Sequence, residues 1–258
     1  MERSQAGTPP PPPPQEKESG EEDQAGPAAG EEWLEELMEP PELIPGTSDD
    51  ADEIVPGLWL GNSEAGRRAD RDGRQAVVCC MAEAENSRHW QQLHDRYRLQ
   101  QAMDVLLLPM NDGSNGTLHP FVQKGATFIH NQLSEHKRSV LVHCSMGKSR
   151  STSMVAVYLM KHRDMSLRDA LTLIRRKRPW AYPLLKFWLE LLDLEKEIQA
   201  DGKESLPRER VARLHAENRS QTPLRTLLSM GFGEASATLA LQQHNGDLHA
   251  ATLSLLSQ

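Results

Sequence analysis

The sequence predicts an α/β fold in which helices flank a central mixed sheet, followed by a small C-terminal three-helix bundle. Three short apolar runs, "QAVVCCMA", "MDVLLLPM" and "SVLVH", have the length of buried strands and alternate with helical patterns. After residue 199 the chain turns polar, and it becomes apolar again near its end. We therefore divide it into a tail (1–52), a main domain (53–200), a linker (201–221) and a helical unit (222–258).

The tail is Pro-rich and acidic, a composition typical of disorder. Residues 1–53 contain 16 acidic and 2 basic residues, a net charge of −14, so the remainder of this −8 chain carries +6. Within the tail, "EEWLEELMEPPELIP" predicts a short acidic amphipathic helix that Pro40 and Pro41 end. Its apolar residues are Trp33, Leu34, Leu37 and Met38. This helix is either a docking motif, for a partner or for the chain's own basic face, or a weakly helical patch in solvent; composition favours the second.

Composition also limits the setting of the protein. No run reaches the roughly 18 apolar residues of a membrane helix, and the first residues lack the apolar core of a signal peptide. Three cysteines, of which Cys79 and Cys80 are adjacent, do not form a disulfide framework. We therefore expect the protein to be located in the cytosol or nucleus and to have no membrane span.

The first half of the main domain is predicted as follows. "EIVPGLWLGN" is a strand pair around Pro56-Gly57, and "QAVVCCMA" is a buried strand followed by a polar helix through Trp90 and Leu93. "MDVLLLPM" fits a strand buried on both faces. "NDGSNGT" is a flexible loop, and a helix runs from about Leu118 to His136.

The second half contains the strand "SVLVH" and three helices, "TSMVAVYLMKH", "SLRDALTLIRRK" and "PLLKFWLELLDLEKEI". The basic run Arg175 to Arg178 falls at a helix C-terminus before Pro179, where cations complement the helix dipole. We therefore expect no nucleic-acid partner from it.

The segment "HCSMGKSRS", residues 143–151, joins the carboxyl end of a central strand to the start of a helix. Backbone N–H groups in such a loop, together with the helix dipole, bind a tetrahedral anion. Gly147 permits a conformation that other residues resist, and Arg150 adds a fork for two phosphate oxygens. The same field favours Cys144 as a thiolate. A nucleophile at the floor of a phosphate site predicts phosphoryl transfer to sulfur.

A proton donor for the leaving oxygen is available in Asp112, in the loop after the strand "LLLP". By itself, however, this residue is by default interpreted as an ordinary loop aspartate that caps a turn.

The His-Cys-x-x-Gly-x-x-Arg-Ser pattern resembles the signature loop of the cysteine-dependent protein phosphatases, specifically the dual-specificity branch. "VPGLWLGN", "LLLPMND" and the helices after the loop are also similar, over about residues 53–198. The resemblance implies that Cys144 is the nucleophile, Arg150 binds phosphoryl oxygens and Asp112 is the general acid. It further implies that Ser151 assists departure of the thiolate and that His143 supports the loop, with phosphoproteins as substrates. It implies no cofactor and no metal.

The phosphate-binding residues implied are Ser145, Met146, Gly147, Lys148, Ser149 and Arg150. Two residues depart from the usual pattern. Leu184 stands where the family commonly has Asn, which places the rigidity of the loop in question. Lys148 also occurs at this place in phosphatases of inositol lipids, and it favours highly charged phosphates.

Cys79 and Cys80 lie on one strand, so alternation sends them to opposite faces. One interpretation is that one of them traps an oxidised Cys144 as a reversible disulfide. The favoured alternative is a small buried core residue.

The C-terminal segment resembles a ubiquitin-associated domain. The similarity is carried by Met230-Gly231-Phe232, by the helix containing Ala237 and Leu241, by "NGDLHAA" and by Leu255-Leu256. Thr222 and Pro223 are predicted to start its first helix. The resemblance implies ubiquitin or ubiquitinated partners, bound through Met230, Gly231, Phe232, Leu255 and Leu256.

The sequence as a whole predicts a dual-specificity phosphatase with a ubiquitin-binding module. Two alternatives remain open at this stage. One is a phosphate-binding adaptor without catalysis, and the other is a phosphatase of phosphoinositides or RNA 5′-phosphates.

Overall fold

A five-stranded sheet forms the centre of the molecule. The computed structural model describes residues 32–40, 50–82, 95, 103–113, 115–199 and 202–256. The strands are β1 (Ala51–Val55), β2 (Leu58–Gly61), β3 (Ala76–Cys79), β4 (Asp104–Leu107) and β5 (Val140–His143). Their order is β1-β2-β5-β3-β4, with β1 and β2 antiparallel and all other pairs parallel. The predicted mixed sheet is confirmed, including the strand pair around Pro56-Gly57.

The central strands β3 and β5 are buried at every position, as their continuous apolar runs predict. The prediction that β4 is buried on both faces is wrong, because β4 lies at the edge of the sheet, where Asp104 is exposed and Val105 and Leu107 are only partly covered. The polar helix predicted through Trp90 and Leu93 lies outside the described residues.

Nine α-helices are present in the described part of the chain. They are α1 (Glu32–Met38), α2 (Ser63–Arg68), α3 (Val122–His130), α4 (Arg150–Arg163), α5 (Leu167–Lys177), α6 (Leu185–Ile198), α7 (Arg208–Ser229), α8 (Glu234–Gln243) and α9 (Leu248–Leu256). The helix predicted near Leu118–His136 comprises a 3₁₀ turn (His119–Phe121), α3 and a π-helical turn (Asn131–Glu135).

The helix α4 follows the signature loop and is buried from Arg150 to Met160, because it runs through the middle of the molecule. It contacts α3, α5 and α6, and its amino end faces the carboxyl end of β5. This arrangement places the loop between β5 and α4 at the edge of the sheet where α/β proteins bind ligands.

The acidic helix α1 is part of the folded core, so the prediction of a solvent-exposed patch is wrong for this segment. Leu34 and Met38 are fully buried and Leu37 is nearly so. Arg168 of α5 stacks on Trp33, and Arg210 of α7 pairs with Glu35. The apolar face is buried because it meets a complementary surface on α5 and α7.

The C-terminal part of the chain contains three helices with a small apolar cluster of their own. Leu227, Ala237, Ala240 and Ala251 form its buried centre. The first of these helices, α7, begins at Arg208 and continues to Ser229, so residues placed in the linker are helical. Pro223 lies inside α7 rather than at a helix start, which corrects the predicted first turn. No helix in the described ranges has the length and apolarity needed to cross a membrane.

Candidate active site

Cys144 follows β5 directly and lies at the bottom of the loop that precedes α4. We call residues 144–149 the phosphate loop. The Cys144 side chain is only 2% exposed. Its Sγ accepts hydrogen bonds from the Gly147 N–H at 3.2 Å and the Ser151 hydroxyl at 3.2 Å. The loop therefore directs its donors at the sulfur, as expected for a site that also binds an anion.

These donors set the charge of the thiol. Burial alone raises the pKa of Cys144, but the Arg150 guanidinium, the Ser151 hydroxyl and the backbone N–H groups of Ser151 and Lys148 favour the anion. The net result is a pKa below the ordinary value for cysteine. The thiolate is the nucleophilic form, so this shift increases its fraction near neutral pH.

Backbone hydrogen bonds from other elements hold the phosphate loop. The Cys144 N–H donates to Gly61 O at 3.4 Å, and the Ser63 N–H donates to Ser145 O at 3.0 Å. The Tyr182 N–H donates to Lys148 O at 2.7 Å.

Leu184, which stands where the family commonly has Asn, also reaches the phosphate loop. Its backbone N–H donates to Ser149 Oγ at 3.0 Å. This contact with the loop therefore does not depend on an asparagine side chain.

Arg178 is a site residue that the sequence did not predict. It is fully buried, its Nε donates to Gly147 O at 2.8 Å, and its NH1 lies 2.6 Å from an oxygen of Asp52. Gly147 has φ +65°, and a Cβ there would lie 2.5 Å from Arg178 and 2.6 Å from Gly61 O. The basic run Arg175 to Arg178 does place cations at the end of α5, as predicted. Arg178, its last residue, also supports the phosphate loop. Asp52 is 126 residues away in sequence, so no local pattern indicated this pairing.

Arg150 joins the phosphate loop to a second loop that carries Asp112. We call residues 109–113 and 115–117 the acid loop. Arg150 NH2 lies 3.1 Å from Asp112 Oδ2, and its NH1 donates to Met110 O at 3.3 Å. The Arg150 side chain is 3% exposed and that of Asp112 is 41% exposed. The structure thus brings together the cysteine, arginine and aspartate that the sequence singled out.

His143 lies beneath the loop, fully buried, with Nδ1 3.5 Å from Cys144 O. Its ring packs on Gly66 of α2, where a Cβ would approach within 2.6 Å.

The outer side of the phosphate loop is formed by Ser145, Met146 and Lys148. The first two are exposed, whereas Lys148 is partly buried. Burial and then the charge of Arg175 lower the pKa of Lys148. The charge of Arg175 therefore acts on Lys148 of the phosphate loop.

Both strand cysteines are fully buried, but they differ in their relation to Cys144. Cys79 pairs with His143 in the parallel register of β3 and β5, and the Cys80 N–H donates to His143 O at 2.8 Å. Cys80 thus follows the strand end beside Cys144. Burial raises the pKa of Cys80 well above its ordinary value, and interaction with Cys144 raises it further.

The residues predicted to bind ubiquitin divide into two groups. Met230 is 52% exposed and Leu256 is 68% exposed. Phe232 and Leu255 are partly buried against the small C-terminal cluster. Gly231 has φ +90°, a conformation that glycine adopts readily.

Residues 62–197 match the family model of the dual specificity phosphatase catalytic domain. The chain therefore belongs to the dual-specificity phosphatase family, the class of protein-tyrosine phosphatases that the fold and the site define. It is 32% identical to mouse dual specificity protein phosphatase 22 over 145 residues, which are 56% of this chain and 73% of that protein.

One further relative agrees with this assignment, and one solved structure agrees with the fold. The chain is 37% identical over 112 residues, 43% of its length, to human dual specificity protein phosphatase 16, of which it spans only 17%. A crystal structure of human DUSP28 superposes with a TM-score of 0.51 at 23% identity, covering 60% of this chain and 98% of the other, which supports the fold.

Proposed function

We propose that this protein hydrolyses phosphotyrosine and phosphoserine/phosphothreonine in proteins through a phosphocysteine intermediate. One observation carries the proposal. Cys144 Sγ accepts two hydrogen bonds that stabilise a thiolate, and Arg150 beside it contacts Asp112. A nucleophile, an anion-binding group and an acid therefore converge on one point.

The first step forms the sulfur–phosphorus bond. The Cys144 thiolate attacks phosphorus while the bond from phosphorus to the side-chain oxygen of the substrate breaks. Arg150 and the backbone N–H groups of the phosphate loop bind the phosphoryl oxygens and stabilise their charge. Asp112 gives its proton to the leaving oxygen, so the dephosphorylated hydroxyl group departs neutral.

The second step regenerates the enzyme. The Asp112 carboxylate accepts a proton from water as the water oxygen attacks phosphorus, and the sulfur–phosphorus bond breaks. Inorganic phosphate leaves and Cys144 returns as a thiolate. The Ser151 hydroxyl, 3.2 Å from Sγ, stabilises the sulfur as it becomes negative.

The test is phosphate release from phosphotyrosine and phosphothreonine peptides, an aryl phosphate, a phosphoinositide and a triphosphorylated RNA. Wild type and Cys144→Ser are compared with chelator present. Release by the wild type alone supports the proposal and ranks the substrates. Equal release by Cys144→Ser contradicts the mechanism. If neither protein releases phosphate from any substrate, the alternative of a phosphate-binding adaptor is favoured.

A second substrate class is favoured by one observation: Lys148 of the phosphate loop and Arg175 are cations that interact electrostatically. Such a pair favours substrates with more than one phosphate, such as phosphoinositides or RNA 5′-phosphates. Lys148→Ala should then slow hydrolysis of the phosphoinositide more than that of a singly phosphorylated peptide. Equal effects on both substrates count against this class.

We also propose that α7 to α9 form a ubiquitin-associated module. The resemblance of the Met230-Gly231-Phe232 segment supports it, as does the exposure of Met230 and Leu256. Exposed apolar side chains on a small unit are suited to an apolar partner surface. Such a module would raise the concentration of the phosphatase near ubiquitin-bearing proteins.

Titration of the full chain with ubiquitin tests the module. We expect chemical-shift changes at residues 230–232 and their loss in Met230→Ala. Leu239→Ala is the matched control, because Leu239 is 55% exposed on α8 but lies outside the predicted surface. Absence of shifts at residues 230–232 in the wild type contradicts ubiquitin binding at this surface.

A further inference from the structure

Lys186, in the first turn of α6, holds the acid loop on both sides of Asp112. Its ammonium group donates to Asn111 O at 3.1 Å and also to Gly113 O. These two carbonyls belong to the residues that directly flank Asp112. A single side chain therefore fixes the backbone before and after the general acid.

The chain also folds closely over this side chain. Gly116 N–H donates to Gly113 O at 3.0 Å, which brings the end of the loop back onto its start. A Cβ at Gly116 would overlap both Asn111 O and the Lys186 ammonium group. The loop is thus packed around Lys186 and leaves no room for a side chain there.

Glu190, one turn further along α6, holds the far end of the loop. Its Oε2 accepts hydrogen bonds from Thr117 Oγ1 at 2.8 Å, Leu118 N–H at 2.6 Å and His119 N–H at 3.1 Å. These N–H groups start the 3₁₀ turn and need an acceptor, as at any helix start. One face of α6 therefore anchors both ends of the acid loop.

Arg150 contacts the same loop, but it cannot hold Asp112 throughout the reaction. In the proposed mechanism its guanidinium binds the phosphoryl oxygens, so its contact with Asp112 competes with substrate. The hydrogen bonds of Lys186 go to backbone carbonyls and involve no group that binds phosphate. Because Asp112 is 41% exposed, packing contributes little to its position.

We infer that Lys186 is a positioning residue that keeps the Asp112 carboxyl group within proton-transfer distance of the leaving oxygen. This inference rests on the proposed phosphatase reaction. Small displacements of a catalytic group reduce rates strongly, because proton transfer requires hydrogen-bond distance.

The experiment compares two aryl phosphates in wild type, Lys186→Met and Lys186→Arg. Phenyl phosphate has a basic leaving group that needs a proton, whereas the leaving group of p-nitrophenyl phosphate departs readily as an anion. We expect Lys186→Met to lower kcat/KM for phenyl phosphate about tenfold or more, and for p-nitrophenyl phosphate less than about twofold. Lys186→Arg should restore most of the loss, because it can still donate to the carbonyls.

The matched control is Lys196→Met, on the same helix, where the ammonium group pairs with Glu204 at 2.9 Å. It should leave both rates unchanged. A second check combines Lys186→Met with Asp112→Asn, and the pair should lose no more with phenyl phosphate than Asp112→Asn alone.

Equal losses with both substrates, or no loss with either, would overturn the positioning role while leaving the phosphatase activity in place. If the wild type releases phosphate from neither substrate nor from any peptide, the proposed function fails and the role of Lys186 fails with it. Thermal unfolding of each variant establishes that a selective loss arises in the folded protein.

Discussion

The two loops that meet at Arg150 are held in opposite ways. The phosphate loop surrounds a buried sulfur and is fixed from below by backbone hydrogen bonds and by the buried Arg178. The acid loop is mostly exposed. Lys186 donates hydrogen bonds to the two carbonyls that flank Asp112, and Glu190 accepts hydrogen bonds at the end of the loop. In the proposed mechanism the phosphate loop binds a transition state of fixed geometry, whereas the acid loop brings a proton to leaving groups of different shapes. Changes in the first should therefore affect every substrate, and changes in the second only some.

The largest effect is expected where the two loops are joined. Arg150→Lys removes the fork that binds two oxygens, so kcat/KM should fall on the order of 10²–10³-fold for every substrate. Steady-state kinetics with a phosphotyrosine peptide measures this. Arg176→Lys, at an exposed position of α5, is the control. A loss below about tenfold would show that a positive charge without the guanidinium fork is sufficient to bind the phosphoryl group. It would contradict the expectation that changes in the phosphate loop affect every substrate strongly.

Gly147→Ala should distort the phosphate loop and lower kcat/KM for every substrate, by less than Arg150→Lys does. Gly202→Ala provides a matched control. Both glycines have positive φ, +65° and +63°, so each substitution costs about 1 kcal/mol of backbone strain. Only at Gly147 does the added Cβ also meet neighbours, whereas Gly202 has none within 4 Å. In urea denaturation, backbone strain should lower the stability of both variants by a similar small amount, and the clash should lower that of Gly147→Ala further. Only Gly147→Ala should have lower activity.

Reversible oxidation should distinguish the two strand cysteines. Peroxide oxidises the Cys144 thiolate to a sulfenic acid, which the Cys80 thiol attacks to give a disulfide and water. After mild peroxide, mass spectrometry should find a Cys144–Cys80 link in Cys79→Ser but not in Cys80→Ser. Activity recovered by a reductant should be several-fold lower in Cys80→Ser. A link through Cys79, or none at all, contradicts this assignment.

Ser151→Ala should raise the pKa of Cys144, because the lost hydrogen bond stabilised the anion. With fewer hydrogen-bond donors to the sulfur, the Cys144 thiol keeps its proton to higher pH. The pH at which iodoacetamide alkylates Cys144 should therefore rise. Ser153→Ala is the control, since its hydroxyl donates to Ser149 O at 2.9 Å and is not among the donors to Sγ. An unchanged pH profile of alkylation in Ser151→Ala would show that Ser151 does not stabilise the Cys144 thiolate.

The smallest effect concerns stability at the end of the acid loop. Glu190→Ala leaves the Leu118 N–H without its acceptor and the His119 N–H with only the Thr117 hydroxyl, so it should lower the free energy of unfolding by about 1–2 kcal/mol. Glu197→Ala, at an exposed position of the same helix, should change it by less than about 0.5 kcal/mol. Chemical denaturation measures both, and equal values would show that Glu190 does not hold the loop.

Much of the candidate site could be predicted because its signals are local. Cys144, Gly147, Arg150 and Ser151 lie within eight residues of one another, and the strand and helix around them have clear hydrophobic patterns. Asp112 was found through the resemblance, since a lone loop aspartate carries no signal of its own. The acidic helix was also found, but composition could not reveal that the rest of the fold offers it a surface.

The sequence by itself determined the strands, most helices and the phosphate loop, because hydrophobic period and backbone preference depend on neighbouring residues. Only the tertiary structure decided that Arg178 supports Gly147, that Lys186 and Glu190 hold the acid loop, and that Cys80 rather than Cys79 adjoins Cys144. These roles join residues 31 to 75 positions apart, or depend on which face of a strand meets its neighbour. Such contacts exist only after the chain has folded, because they are set by the packing of whole elements and not by local preference.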